Sequence, residues 1–328
     1  MRYNFLKIPF LHELMHATCG LGIWFATCPI TQAQHIHKKE TLLFASFRGN
    51  GEDGLHLASS SDGYHWTALR NDQSFLKPTI GKDKLMRDPC IIRGHDGRFH
   101  MVWTTSWHER SIGYASSKDL IHWSEQQSIP VMEAEPTAKN CWAPEITYDT
   151  KNHQYLMIYW ATTIPGRFPQ SETTLEGGNN HRIYYVTTKD FKAYSPAKVL
   201  YDQGFNVIDA TIQPVGSRFV MFLKDETREP IQKNLRLAFS DQLLGPYSPP
   251  SAPITGKYWA EGPTAIHLNS EWLVYFDKYT EHKYGAVSST DLKHWTDVSE
   301  RLDFPKGTRH GTILRITRKE LARIISMN

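Results

Sequence analysis

The chain has 328 residues, 40% of them apolar and 12% aromatic, and its 37 basic side chains against 34 acidic ones leave a formal charge of +3. A balance this close to neutral, with no run of Lys and Arg, gives no electrostatic case for nucleic acid as a partner. The length suffices for one large domain with a full core.

The N-terminal segment reads differently from the rest. Arg2 and Lys7 precede an apolar stretch from Leu21 to Ala26, and Thr31-Gln32-Ala33 offers a small-residue cleavage site before Gln34. Residues 1–33 read as an export signal and 34–328 as the mature domain, which places the protein in the periplasm or outside the cell. The apolar run is broken by Gly20, Gly22 and Pro29 and is too short for a membrane span. A lipid-attachment site at Cys28 is the alternative, but Phe25-Ala26-Thr27 matches poorly what precedes such a cysteine. Cleavage leaves Cys90 and Cys141, which read as two buried free thiols; pairing would need their α-carbons within about 7 Å.

From Ser61 onward a signature recurs five times, a small polar residue, an acidic one and a closing aromatic. The copies are Ser61-Asp62 with Trp66, Ser117 and Asp119 with Trp123, Thr188 and Asp190 with Tyr194, Ser240-Asp241 with Tyr247, and Ser289 and Asp291 with Trp295. A period of roughly 50 residues is a propeller signal, and five copies predict five blades. Aromatic-rich apolar runs beginning at Arg98, Gln154, Arg218 and Glu271 have strand length and follow turn residues such as Asp96-Gly97 and Gly216-Ser217, so they read as second strands of blades. The fold class is therefore all-β, a five-bladed β-propeller. The runs at Leu42–Phe47 and Gly54–Ala58 are left to close the ring against the C-terminal segment His310–Ile316, which spares the sheet its open edges.

In a propeller the innermost strands deliver side chains to one central channel. Ten or eleven residues before the second-strand aromatics Phe99, Tyr155, Phe219 and Trp272 stand Asp88, Glu145, Asp209 and Glu261. Four blades thus place a carboxylate at nearly the same point. Each alone is ordinary: Asp88-Pro89 suits a turn, and the others suit rim hydrogen-bond acceptors. Their recurrence points to one cleft of crowded carboxylates, where like charges raise one another's pKa. Register does not say which of the four do chemistry.

Arg87-Asp88-Pro89, Trp142-Ala143-Pro144, Ile208-Asp209 and Glu261-Gly262-Pro263, in that order, followed by Arg309-His310-Gly311, resemble the motif series of glycoside hydrolase family 43, the five-bladed arabinofuranosidases and xylosidases. The resemblance covers nearly all of the mature chain; it departs in placing two strands before Asp88, where family members commonly carry the first aspartate near the mature N-terminus. It implies an inverting glycosidase acting on an oligosaccharide or polysaccharide, α-L-arabinofuranosidase foremost. Asp88 would be the general base, Glu261 the general acid, and Asp209 would raise the pKa of Glu261 and help hold it. Glu145 becomes a rim contact or salt bridge. Trp107 and Trp142 are candidates to stack on a sugar, and His310 to line the channel, with a structural calcium beside it in some relatives. No cofactor is required for the chemistry. β-Xylosidase and β-1,3-galactosidase activities belong to the same fold. A sucrose- or fructan-cleaving propeller lacks its Asn-Asp-Pro-Asn-Gly-like run here, a mannoside phosphorylase its basic cluster, and a noncatalytic carbohydrate-binding propeller would not need Asp88, Asp209 and Glu261 together.

Overall fold

The computed structural model describes residues 40–149, 156–168 and 177–326, so the expected export signal at 1–33 lies outside the described residues. The chain enters through strands β1 (Glu40–Ser46), β2 (His56–Ser60) and β3 (Thr67–Ala68). Three full blades and one shorter one follow. They are β4 (Arg87–Arg93), β5 (Phe99–Thr104), β6 (Ile112–Ser117) and β7 (Gln127–Ile129); β8 (Trp142–Tyr148), β9 (Leu156–Thr163), β10 (His181–Thr188) and β11 (Lys198–Tyr201); β12 (Val207–Val215), β13 (Arg218–Asp225) and β14 (Asn234–Ser240); and β15 (Glu261–Leu268), β16 (Glu271–Lys278), β17 (Lys283–Ser289) and β18 (Thr296–Asp297). β19 (Thr312–Thr317) then returns to pair antiparallel with β1, Thr312 opposite Ala45 and Thr317 opposite Glu40. The fifth blade, in the order β19-β1-β2-β3, is built from both ends of the chain, as the strand runs predict. Among the described residues no helix is long and apolar enough to cross a membrane.

The recurring signature is the turn that follows the third strand of a blade. In four blades the hydroxyl of Ser60, Ser117, Thr188 or Ser289 accepts from the backbone N–H three residues on, at Gly63, Leu120, Phe191 and Leu292. The carboxylates of Asp62, Asp119, Asp190 and Asp291 accept from the next two N–H groups. These bonds hold the third residue at positive φ, 66° at Leu120 and 59° at Leu292, a conformation otherwise costly for a side chain with a β-carbon. Ser60 rather than Ser61 begins the first copy. In the fourth copy Asp241 pairs with Arg218 at 2.9 Å, and its blade has three strands.

The core runs between blades, where apolar faces of adjacent sheets meet. Around the closing blade, Phe44 packs edge-on against Trp66, Tyr275, Tyr284 and Phe304 with ring centroids 5.1 to 6.4 Å apart. Cys90 and Cys141 are buried free thiols.

Candidate active site

The innermost strands β4, β8, β12 and β15 share one irregularity. Each gains a residue against its partner: Arg87 faces Thr104 but Cys90 faces Val102, and the same slip separates Trp142 from Glu145, Ile208 from Thr211 and Glu261 from Thr264. The extra residue is a β-bulge, and its first member lies at positive φ in every case: Asp88 at 52°, Ala143 at 47°, Asp209 at 50° and Gly262 at 60°. Asp and Gly suit that region better than most residues. In three of the bulges a Pro follows, tolerated because a bulge leaves an N–H without a ladder partner. The Asp-Pro pair that reads as a turn is thus a bulge inside a strand. Such backbone costs on the order of 1 kcal/mol or more per non-glycine residue and accumulates at functional sites.

The bulges correct the carboxylate alignment. Asp88 and Asp209 are equivalent, but Glu261 stands one residue before its bulge and Glu145 two residues after. Counting from the aromatics gave all four nearly the same place because it does not register the bulge. Among the described residues Glu145 forms no salt bridge, and it is not at the rim. It is buried one layer deeper in the channel, where its Oε2 accepts from Thr211 Oγ1 at 2.9 Å and from the Tyr159 hydroxyl at 3.4 Å, and burial pushes its pKa up to about 7.

Asp88, Asp209, Glu261, Trp107, Trp142 and His310 all line one cavity of about 500 Å³ at the channel mouth. His310 is its hinge: Nδ1 lies 3.3 Å from Asp88 Oδ1 and 3.9 Å from Asp209 Oδ2. Burial works against the imidazolium, yet the charges of Asp88, Asp209 and Glu145 outweigh it and raise the His310 pKa to about 9. The converse holds at Asp88. Burial opposes its ionisation, but His310, Arg87 and the hydroxyl of Thr104, donating at 2.9 Å, bring its pKa down to about 2. Thr104 also accepts from Ala143 N at 2.8 Å, so Asp88 is braced through Thr104 by the next blade's bulge. Asp209 is braced likewise, its Oδ2 accepting from Gly262 N at 3.0 Å.

The surroundings of Glu261 are charged differently from expectation. Glu261 Oε2 lies 3.1 Å from Lys224 Nζ and Oε1 lies 3.3 Å from Arg309 Nη2. Burial favours the neutral form, but these two cations outweigh it and lower the Glu261 pKa. Asp209 is the carboxyl that rises, to about 6, through burial and the neighbouring charges of Glu261 and Asp88, with His310 and Lys224 pulling the other way. The lift that Asp209 would give Glu261 is opposed here by Lys224 and Arg309.

At the cavity wall Trp107 is 38% exposed. It meets Trp142 edge-on at 5.5 Å, covers the Arg87 guanidinium at 4.3 Å and donates through Nε1 to Asn50 Oδ1 at 3.2 Å. His181 backs Trp142 at 4.7 Å, and burial lowers its pKa to about 3, which keeps the ring neutral. No role for His181, Asn50, Lys224, Glu226, Asp277 or Arg309 was legible in the sequence, apart from Arg309 standing in a motif. The one signal for Lys224 and Asp277 is a charge at the end of an otherwise apolar strand. As for calcium beside His310, among the described residues no group of three or more His, Cys, Asp or Glu is arranged to hold a metal ion.

The five blades thus bring Asp88, Asp209 and Glu261 together beside the aromatic walls of Trp107 and Trp142. Residues 38–322 match the family described as a probable glycosyl hydrolase domain, related to glycoside hydrolase family 43, and the chain belongs to that family. It is similar to an α-L-arabinofuranosidase of Bifidobacterium longum subsp. longum, 22% identical over 265 residues, covering 70% of this chain and 25% of the relative. The chain thus spans about a quarter of that curated relative's length. Among solved structures, an α-L-arabinanase of Cellvibrio cellulosa complexed with arabinohexaose superposes with a TM-score of 0.55 at 14% identity, covering 84% of this chain and 96% of that one. The catalytic domain of a GH62 α-L-arabinofuranosidase from Coprinopsis cinerea gives 0.50 at 12% identity, with 71% and 74% covered. These likenesses show the fold.

Proposed function

We propose that the protein is an inverting, exo-acting glycosidase that removes L-arabinofuranosyl units from plant-type polysaccharide side chains or oligosaccharides. The observation that carries the reading is the convergence of Asp88 and Asp209 on one His310 nitrogen, with Glu261 beside Asp209 across the Gly262 bulge. Asp88, kept ionised by His310, takes a proton from water as the water oxygen attacks the anomeric carbon. The glycosidic C–O bond breaks on the opposite face, and Glu261 delivers its proton to the leaving oxygen. Asp209 and Glu261 sit close enough that ionising both is penalised, so the pair holds its last proton to higher pH than an isolated carboxyl. Trp107 and Trp142 supply faces for the sugar ring. The Bifidobacterium relative's name supports arabinofuranose over other sugars.

The test is the purified protein on a panel of nitrophenyl glycosides with arabinan and xylan oligosaccharides. Asp88→Asn should be inactive on every substrate, since water activation is always needed. Glu261→Gln should lose turnover of poor leaving groups by about 100-fold or more and recover part of it on activated aryl glycosides. Wild-type-like turnover in both variants contradicts the roles. Sugar binding by the wild type without any turnover favours a binding propeller.

A further inference from the structure

Opposite the innermost strands runs a second tier of residues on one rung: Thr104 faces Arg87, Ala161 faces Trp142, Lys224 faces Ile208 and Asp277 faces Glu261. At the base position the tier is neutral, a hydroxyl donating to Asp88. At the acid position it is charged, and each cation that touches Glu261 has a nearer carboxylate of its own. Lys224 Nζ lies 2.7 Å from Glu226 Oε2 against 3.1 Å from Glu261. Arg309 Nε pairs with Asp277 Oδ2 more closely than its Nη2 approaches Glu261 at 3.3 Å. Glu226 is clamped from its other side by Lys233, 2.7 Å from Oε1. Lys224, Lys233 and Asp277 are almost wholly buried, so these charges are not screened by solvent as surface pairs are.

The geometry points to Glu226 and Asp277 as positioning residues that set when Glu261 carries its proton, by competing with it for Lys224 and Arg309. This rests on Glu261 being the acid. The groups facing Glu261 are Lys224 from β13, Arg309 and His310 from the segment before β19, Asp209 from β12 and Asp277 from β16, with Tyr279 across the Lys224 ammonium at 4.6 Å. Once Glu226 and its partner Lys233 are added, Glu261, Asp209, Asp277 and Glu226 share one buried network with Lys224, Lys233, Arg309 and His310. Neutralising Glu226 removes a repulsion on ionised Glu261 and leaves Lys224 to it, and both effects favour the ionised, inactive form. The same holds for Asp277 and Arg309. Neutralising Lys224 acts in the opposite sense.

The experiment is the pH dependence of kcat/KM on an oligosaccharide with a poor leaving group, for wild type, Glu226→Gln, Asp277→Asn, Lys224→Met and the Glu226→Gln/Lys224→Met double variant. The alkaline limb should move to lower pH by about one unit in the first two variants and to higher pH by about one unit in Lys224→Met, the size of a single nearby charge. The Glu226→Gln displacement should shrink in the Lys224→Met background, because it acts through that ammonium. On an activated aryl glycoside the displacements should be smaller. A lower rate with the limb unmoved in Glu226→Gln and Asp277→Asn indicates a merely structural role and overturns the inference. If one of these variants does not fold, the other reads the same quantity through the second cation. Full activity of Glu261→Gln on the poor leaving group would overturn the acid assignment itself, whereas its inactivity beside unmoved limbs overturns only the role of Glu226 and Asp277.

Discussion

At the scale of single residues the site is governed by where one proton sits. His310 is a buried histidine held charged by two carboxylates, the reverse of His181 a few ångströms behind Trp142, which burial keeps neutral. Its pKa is raised from 6.5 to about 9 in the folded protein, so its contribution to stability is complete below about pH 6.5 and is lost as the pH rises through about 9. Thermal unfolding followed from pH 6 to pH 9.5 should therefore show His310→Gln well below wild type at pH 6, by up to about 3 kcal/mol, with the gap narrowing towards pH 9.5. A gap that stays constant or widens with pH would mean that His310 is neutral in the fold. The same substitution removes the charge that keeps Asp88 low, so the acid limb of activity should move to higher pH.

At the scale of elements, the bulge is the device that turns a strand into a site. It aims Asp88 and Asp209 into the cavity, where the next blade's N–H braces Asp209 directly and Asp88 through the Thr104 hydroxyl. Gly262 shows what the device needs. Ala143 occupies the equivalent position at φ 47°, so a methyl group is compatible with the backbone. At Gly262, however, a β-carbon would stand 2.3 Å from His310 Cγ, and the imidazole would have to leave both carboxylates. Gly262→Ala should cost about 2 kcal/mol of stability, as overpacking does, and at least about 10-fold in kcat/KM, a misplacement effect. Denaturant unfolding and kinetics on the arabinofuranoside check this, and a wild-type-like variant would show that His310 has room to move. The repeat turns were legible in sequence because hydroxyl and carboxylate caps act within three residues, as at Ser117 and Asp119. The bulges were not, because register depends on the partner strand. Lys224 and Asp277 carried only the weak signal of a charge ending an apolar run, and their partners Glu261 and Arg309 come from other parts of the chain.

At the scale of the whole molecule, the ring is closed by β19 on β1, and the same segment carries Arg309 and His310 to the channel mouth. Closure and chemistry are thus one event. Thr312 Oγ1 donates to Pro89 O at 2.6 Å, tying the last inner strand to the first beside Asp88. The five-blade count and the closing strands followed from the repeat period and from the apolar runs at either end. The division of labour among the carboxylates did not, since Glu145 and Glu261 differ only by which side of a bulge they occupy. In the proposed reaction Asp88 and Glu261 act from opposite faces of one bond in a single displacement. Proton NMR of the sugar released in the first minutes of hydrolysis decides this: the first-formed product should have the anomeric configuration opposite to the substrate, with the other anomer appearing only by mutarotation, and initial release of the retained anomer would contradict single displacement.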